Sequence, residues 1–391
     1  MSDRSIRGAA AVTGFAEIKP ERRKPGRTAV GLAAELAKNC VEDAGLTKDQ
    51  VNGLITHIPY SHNIEFAEYL GLKPAWSHSV DQMGGSGATS LTVAAAAVAT
   101  GLADNVLVIV CSSQWGGFGG GTEPSPDGHG AQYVRAHGPG PGANYEYAQI
   151  AMRYQHLFNL SDEDRVAIAV QQRENAQANP DAVFYGQPAT ADDILNSRMV
   201  ADPLRLLECV MPCIGGAAVM VSAAGETDYS PNPPVYLLGA GCATDRGVPG
   251  LSYAADMTIS PVKVSAERAF NTAGLTPQDM DIAQIYDCYT IAIICEFEDA
   301  GFAPKGEGGP WFASHDVTYK GELPVNTHGG QLSFGQAGSG GGMSHVVEGV
   351  RQMMGRGEAR QAHNDLNYAF INNNGGGLSV EASLVFGKGV D

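Results

Sequence analysis

The sequence has few basic residues and no cluster of them. Lysine and arginine number 25 against 42 aspartates and glutamates, which gives a formal net charge of −17 over 391 residues. So acidic a chain repels a phosphate backbone unless a local basic patch reverses the charge. We therefore expect no nucleic-acid partner.

Long apolar runs are missing as well. No segment approaches the ~18 uninterrupted apolar residues of a membrane-spanning helix, and the first residues lack the apolar stretch of a secretory signal peptide. The seven cysteines are an odd number and lie mostly in apolar runs, which favours reduced thiols without a disulfide framework or a metal site. We expect a soluble, cytoplasmic protein without membrane association.

Glycine, in contrast, is abundant, with 50 residues and no three-residue period. Two glycine-rich turns, 81–91 (DQMGGSGATSL) and 334–344 (FGQAGSGGGMS), each precede a helix-like segment. Neither turn continues into the lysine of a P-loop or has the acidic partner of a dinucleotide site, so we expect no nucleotide cofactor. The alternative use of such a helix N-terminus is to stabilise an anionic nucleophile or an oxyanion.

An internal repeat organises the chain. Residues 34–56 and 265–287 each read as an apolar helix, the tetrapeptide AGLT, a polar turn and a strand, which is typical of a duplicated supersecondary unit. Helices and strands alternate throughout, so the fold class is layered α/β. We predict an N-terminal half, 1–230, with a loop insertion at about 114–200, and a C-terminal half, 235–391.

Four motifs resemble those of the thiolase superfamily, in the same order along the chain. They are GGSG before an alanine-rich helix, IYDCYT at 285–290, NTHGG followed by FGQAG at 326–338, and NNNGGGLSVEASLVF at 372–386. The sequence is most similar to the branch of sterol-carrier-protein thiolases and lipid-transfer-protein-type aldolases, which act on acyl-CoA, and to the related benzoylsuccinyl-CoA thiolases. The resemblance covers essentially the whole chain.

This resemblance implies the thiolase fold, in which two duplicated, layered α/β halves pack together and a loop domain is inserted in the first. It also implies a homodimer, with coenzyme A as part of the substrate and no covalently bound cofactor. Members of the aldolase branch work with a small partner that contains a zinc ribbon and an OB-fold. This chain carries no such domain, so the resemblance implies a separate partner protein and a heterotetramer.

The resemblance also implies the positions of site residues, and three of the usual groups are replaced. Gly84 stands where thiolases carry the nucleophilic cysteine, and nearby Ser86 has no evident base. Gln336 replaces the histidine of the family's G-H-P turn, and Asn373 replaces the acid/base cysteine. Glutamine and asparagine donate hydrogen bonds but do not act as bases near neutral pH.

The motif H-D-C-F-S of the sterol-carrier branch here reads YDCYT. Tyr286 takes the place of the histidine, as in the aldolase branch, whose second tyrosine is replaced by Gln336. Cys288 remains as an acid/base candidate, and it should share a face with Tyr286 if the segment is a strand. Asp287 would then point away as an orienting group. Each of Tyr286, Cys288 and His328 could instead be an ordinary buried side chain.

Retro-aldol cleavage of a β-hydroxyacyl-CoA, with a steroid-like or aromatic side chain, fits these replacements, because it needs a base and enolate donors but no acyl-enzyme. We expect Tyr286 to be the base, assisted by Cys288 or His328. The groups expected to bind substrate or its enolate oxygen are Gly84, Ser86, Gly335, Gln336, Asn373 and Gly376. The alternatives are CoA-dependent thiolysis or acyl transfer on a β-ketoacyl-CoA, and a non-catalytic scaffold that binds acyl-CoA or lipid.

Overall fold

A computed structural model describes residues 5–22, 26–58, 62–113, 142–245, 254–363 and 365–390. The glycine-rich opening of the predicted insertion, 114–141, lies outside the described residues. None of the described helices is long and apolar enough to cross a membrane.

The first half builds one side of a mixed sheet. Its strands follow the order β3-β2-β4-β7-β1, with β2 parallel to β3 and β4, and β7 antiparallel to β4 and β1. Strand β4 is buried along its whole length, as expected for an apolar run covered on both faces. The strands are β1 (Ala10–Glu21), β2 (Gly53–His57), β3 (Trp76–Ser79), β4 (Asn105–Ser112), β5 (Met199–Ala201), β6 (Leu204–Arg205) and β7 (Ile214–Ala223).

The second half repeats the arrangement. Its strands follow the order β8-β11-β10-β9, with β9 parallel to β10, and β11 antiparallel to its two neighbours. A single bridge between Ala283 and Val325 lies where β3 stands in the first half. The halves join through a short antiparallel pairing of β1 with β8. The strands are β8 (Val235–Thr244), β9 (Ile282–Ile285), β10 (Tyr368–Gly375) and β11 (Val380–Gly387).

The predicted repeat is confirmed at the level of elements. Helix α1 (Ala29–Asp43) leads through AGLT and a 3₁₀ turn into β2, and a second helix (Val262–Ala273) leads through the second AGLT and a 3₁₀ turn into β9. In the first copy the side chain of Thr28 caps α1 by accepting a hydrogen bond from the Gly31 N–H. The second helix stops at Gly274, whose left-handed conformation costs glycine little.

Helices cover both faces of the sheet and fill its middle. The helices are α1, α2 (Asn63–Leu70), α3 (Ser86–Ala99), α4 (Ala143–Phe158), α5 (Asp162–Gln177), α6 (Ala191–Leu195), α7 (Val262–Ala273), α8 (Thr290–Asp299), α9 (Gly308–Ser314), α10 (Gly330–Ser333) and α11 (Gly341–Met353). Helices α3 and α11 pack between the two halves of the sheet, and α1 covers the outer face of the first half. Helices α7 and α8 cover the outer face of the second. This confirms the layered, duplicated α/β prediction.

The described part of the insertion, from α4 to β5, packs on the second half. Tyr147 of α4 stacks on Tyr289, with ring centroids 4.3 Å apart, and the Tyr289 hydroxyl donates to Asn144 at 2.7 Å. The insertion therefore closes over the segment that connects β9 to α8. The division of the chain at 230 and 235 into two domains stays a prediction.

The segment IYDCY, considered above as a possible strand, is not a continuous one, because β9 ends at Ile285 and residues 286–289 form the loop before α8. Tyr286 and Cys288 are nevertheless both buried, at 4% and 5% exposure. Their common location therefore comes from the turn of the loop and from the covering helices, and not from strand alternation.

Candidate active site

The N-termini of α3 and α11 meet at the centre of the molecule. A Cβ atom on Gly342 would lie 2.2 Å from the carbonyl oxygen of Gly84, and one on Gly87 would lie 2.9 Å from the backbone nitrogen of Met343. No side chain fits at these distances, so the two glycine-rich turns allow backbone to approach backbone. The two glycine-rich turns therefore face each other in direct contact.

Tyr286 fills the space beside Gly84. A Cβ atom on Gly84 would lie 2.3 Å from the Tyr286 hydroxyl oxygen, 2.6 Å from its Cζ atom and 2.2 Å from the carbonyl oxygen of Asn374. A cysteine at position 84 is therefore incompatible with the tyrosine ring in this place. The glycine at position 84 and the tyrosine at position 286 are physically linked, because the phenol occupies the volume that a side chain at position 84 would need.

The Tyr286 hydroxyl accepts a hydrogen bond from Gln336 Nε2 at 2.7 Å. Burial raises the pKa of Tyr286 well above its usual value, and the neighbouring Cys288 raises it further. Hydrogen bonds from Gln336 and Gln331 act in the opposite direction and lower the pKa. Gln336 thus meets Tyr286 directly and donates to the form of the phenol that acts as a base.

Cys288 lies beside Tyr286 and is held as a thiol. Burial raises its pKa well above the usual value, a hydrogen bond from Tyr147 lowers it, and the carboxyl of Glu296 raises it again. A thiolate is the form needed for nucleophilic attack. The environment of Cys288 therefore favours a hydrogen-bonding role over a covalent one.

Asp287 turns away from Tyr286 toward the start of α10. Its carboxylate accepts hydrogen bonds from the backbone N–H groups of Gln331 at 2.7 Å and Leu332 at 3.1 Å. Burial raises its pKa, and the contact with His345 lowers it. The arrangement supports the predicted orienting role, since these bonds fix the loop on which Tyr286 stands.

Sequence reasoning missed His345 of α11. Its Nε2 atom lies 3.2 Å from an Asp287 oxygen and 3.2 Å from Gln331 Nε2. Its ring centroid is 5.9 Å from that of Tyr286 and 5.0 Å from that of His328. No signal in the sequence marks this contact, because it depends on how α11 crosses the YDCY loop.

His328 is fully buried against Phe334 and His345. Burial lowers the pKa of His328 well below its usual value, and the neighbouring His345 lowers it further. Neither ring nitrogen has a hydrogen-bond partner in the described part of the chain. His328 is therefore a neutral imidazole that reaches the neighbourhood of Tyr286 through His345, and its predicted assisting role stays a prediction.

Ser86 is engaged within its own turn. Its hydroxyl donates to the Met83 carbonyl oxygen at 2.6 Å and accepts from the Gln82 N–H at 3.0 Å. These bonds hold the 3₁₀ turn that leads into α3, so the hydroxyl has a local structural function. The structure brings no base to it among these contacts.

Asn373 ties the first turn to β10. Its Oδ1 atom accepts a hydrogen bond from the Ala88 N–H at 2.9 Å, and its Nδ2 atom donates to the Asn372 carbonyl oxygen at 3.0 Å. Gly335 faces the insertion, since a Cβ atom there would lie 2.9 Å from Val183. The structure thus places Asn373 at the meeting point of the two turns and Gly335 on the side away from it.

A third turn, residues 375–378, borders the site. Gly376 and Gly377 have φ angles of 64° and 65°, in the left-handed region that glycine adopts at little cost. The Gly376 carbonyl oxygen accepts a hydrogen bond from the Ser379 hydroxyl. A Cβ atom on Gly377 would lie 2.6 Å from Oε2 of Glu146, at the start of α4. The insertion therefore places a carboxyl group over this turn.

A second carboxyl, that of Glu296, lies deeper. It accepts hydrogen bonds from the side-chain amides of Asn372 at 2.9 Å and Asn374 at 2.6 Å. Burial raises its pKa well above the usual value, although both amides lower it. It was missed in the sequence because it stands inside the apolar run IAIICEFED. Among the described residues, no group of three or more metal-ligating side chains is brought together.

Comparisons with known proteins agree with this architecture. The family model for the thiolase C-terminal domain-like family matches residues 245–388. The chain is 35% identical to 17-hydroxy-3-oxo-4-pregnene-20-carboxyl-CoA lyase of Mycobacterium tuberculosis, over 90% of this chain and 92% of that one. It is 32% identical to a steroid side-chain-cleaving aldolase of Thermomonospora curvata, over 89% and 91% of the two chains.

Among solved structures, the Ltp2-ChsH2(DUF35) aldolase is similar, with a TM-score of 0.89 at 30% identity over 98% of both chains. A monomeric SCP2-thiolase-like protein type 1 from Mycobacterium smegmatis matches with a TM-score of 0.74 at 20% identity, over 97% of this chain and 77% of the other, and shows the fold alone. Both likenesses extend over nearly the whole chain.

Proposed function

The chain belongs to the thiolase superfamily, in the thiolase-like branch that includes steroid side-chain-cleaving aldolases, and on that premise we propose that it cleaves a β-hydroxyacyl-CoA by a retro-aldol reaction. One observation carries the proposal. The Tyr286 hydroxyl lies 2.3 Å from the Cβ position of Gly84, so a proton-accepting group stands where the family's nucleophile would be. The site is built for proton transfer and lacks the group that would form an acyl-enzyme.

In this reaction the phenolate of Tyr286, the minor form because burial raises its pKa, takes the proton of the substrate's β-hydroxyl group. The bond between the α and β carbons then breaks, and its electron pair becomes the enolate of the thioester. Gln336, which donates to Tyr286, stabilises the phenolate before the transfer. Backbone amides of the turns at Gly84 and Gly376 would hold the enolate oxygen. The products are a ketone or aldehyde and a shortened acyl-CoA.

The names of the two curated relatives support a steroid-like acyl group. One is a lyase of 17-hydroxy-3-oxo-4-pregnene-20-carboxyl-CoA and the other cleaves steroid side chains. Both align with this chain over about nine-tenths of its length. The substrate class that we propose is therefore a CoA thioester with a hydroxylated, ring-bearing side chain.

We propose in addition that the chain works as a homodimer with a zinc-ribbon and OB-fold partner. Support comes from the similar structure of an Ltp2-ChsH2(DUF35) aldolase, whose name joins a DUF35 component to the aldolase. The two components together would form a heterotetramer. Mass measurement of the co-expressed proteins tests this assembly.

The reaction is tested with a β-hydroxyacyl-CoA and a β-ketoacyl-CoA, each with and without free coenzyme A, and with product masses as the readout. We expect cleavage of the hydroxy compound without free coenzyme A. Replacement Tyr286→Phe should reduce the rate at least ~100-fold, because it removes the base. Tyr185→Phe, at a half-exposed tyrosine, is the matched control. Cleavage of only the keto compound, and only with free coenzyme A, would show a thiolase, and binding without turnover would show a scaffold.

A further inference from the structure

The retro-aldol reaction leaves a proton requirement that Tyr286 does not meet. After the carbon–carbon bond breaks, the α carbon of the enolate must receive a proton, while Tyr286 has just accepted one. A second acid is therefore required near the substrate. The buried Asp287 carboxylate already accepts backbone hydrogen bonds from Gln331 and Leu332. Three other acids near the site, Cys288, Glu296 and Glu146, differ in their burial and in their hydrogen bonds.

Two of these acids are committed to the protein. Glu296 is fully buried, and the amides of Asn372 and Asn374 bind its carboxyl. Cys288 is in hydrogen-bond contact with Tyr147, and burial raises its pKa well above the usual value. Neither group is well placed to exchange protons with solvent.

Glu146 differs from these two groups in its burial and in its hydrogen bonding. It is half-buried in the first turn of α4, and no hydrogen bond or ion pair holds its carboxyl among the described residues. Burial raises the pKa of this carboxyl, so near neutral pH more of it is protonated than of an exposed glutamate. It thus combines an available proton with access to solvent.

The geometry places Glu146 over the turn that borders the reaction centre. Its Oε2 atom would lie 2.6 Å from a Cβ atom on Gly377. Asn374, three residues before Gly377, reaches the reaction centre, since its carbonyl oxygen would lie 2.2 Å from a Cβ atom on Gly84. Three residues span at most about 10 Å. The carboxyl and the Tyr286 hydroxyl therefore lie near opposite ends of one short segment, residues 374–377.

We propose that Glu146 is the acid that protonates the α carbon of the thioester enolate, an assignment that rests on the retro-aldol function proposed above. Tyr286 takes the hydroxyl proton, the electron pair of the broken bond forms the enolate, and Glu146 delivers its own proton to the α carbon. The phenol proton then passes to the Glu146 carboxylate, which returns both groups to their starting forms. The sum is the β-hydroxyacyl-CoA converted into a carbonyl compound and a shortened acyl-CoA, without an added oxidant or reductant.

The test uses the reverse of the protonation step, since Glu146 as a carboxylate must also remove a proton from the α carbon of the product acyl-CoA. The full-length protein, with its partner if one is required, is incubated with propionyl-CoA in deuterium oxide, and deuterium at the α carbon is measured by mass spectrometry. We expect the wild type to catalyse this exchange without any ketone. Glu146→Gln should reduce the exchange at least ~100-fold, and Glu146→Asp should restore part of it.

Two controls separate this proposal from the retro-aldol function itself. Tyr286→Phe should lose cleavage and keep α-deuterium exchange, because exchange needs no hydroxyl base. Glu163→Gln, at an exposed glutamate of the same insertion, should change neither. Wild-type exchange in Glu146→Gln, or no exchange in a cleaving wild type, would overturn the role of Glu146. Exchange without cleavage of any β-hydroxyacyl-CoA would instead overturn the retro-aldol function.

Discussion

The contact between Gly84 and Tyr286 yields a quantitative prediction for Gly84→Ala. The new methyl group would lie 2.2 Å from a backbone oxygen and 2.3 Å from the Tyr286 hydroxyl oxygen, far inside van der Waals contact. Overpacking of this kind costs typically 1–3 kcal/mol. The backbone oxygen cannot rotate away as the end of a flexible side chain would. We therefore expect destabilisation by about 2–3 kcal/mol and loss of most cleavage activity, because the phenol must also move.

Gly85→Ala is the matched control, one residue further along the same turn. Its new methyl group would meet nothing closer than Val380 Cγ1 at 3.6 Å, which is ordinary contact. We expect a change in stability within about 0.5 kcal/mol. Urea denaturation followed by far-UV circular dichroism measures both variants, with the midpoint compared at equal slope.

One outcome of comparing Gly84→Ala with Gly85→Ala would contradict this reasoning. If Gly84→Ala matches Gly85→Ala in both urea midpoint and activity, the ring of Tyr286 does not occupy the space beside Gly84. The physical link between the two replacements, and with it the main support for a non-covalent reaction, would then be lost. A normal midpoint with strongly reduced activity would show that the ring yields and that its position matters for the chemistry.

Two further predictions concern groups around the site. Cys288→Ser should reduce retro-aldol cleavage by less than about tenfold, because the sulfur only accepts a hydrogen bond from Tyr147. A loss of 100-fold or more in the same product assay would instead show a catalytic thiol. Glu348 receives hydrogen bonds from Arg351 at 2.6 Å and Arg360 at 3.0 Å, and these cations hold its pKa far below the usual value despite burial. The stabilisation is present above the unfolded-state pKa of about 4.3 and is lost as the pH falls toward the folded-state pKa. Glu348→Gln should cost roughly 3–5 kcal/mol at pH 7, because the buried Arg360 loses its carboxylate partner and Arg351 keeps only Glu17. It should also flatten the acid side of the stability profile measured by urea denaturation. Equal losses at pH 7 and pH 3 would contradict this reasoning.

The parts of the fold that depend on local pattern could be predicted from the sequence. The AGLT repeat marked the two helix–turn–strand units because capping, turn and apolar spacing are local properties. The reduced strand at Val325 was not visible, since a single bridge to Ala283 leaves no periodic pattern. The insertion was recognised by its length, although its helices had to be placed by tertiary contacts.

The candidate site was predictable only where a motif carried it. Tyr286 and Gln336 were found through the resemblance, and their 2.7 Å hydrogen bond joins two of the named residues. His345, Glu296 and Glu146 were not found, because each reaches the site from an element whose own sequence gives no functional signal. Side-chain direction at a helix crossing depends on packing, and no single-sequence pattern encodes it.

The exclusion between a side chain at position 84 and the ring of Tyr286 also constrains the order in which such a site could arise. From an ancestor with a cysteine at position 84, a tyrosine at position 286 could enter only after the cysteine had become glycine. The reverse path is closed to single steps, since a cysteine restored beside Tyr286 meets the ring and the Asn374 carbonyl oxygen at once. A return to covalent chemistry would need at least two changes together, so no single substitution at position 84 would restore the nucleophile.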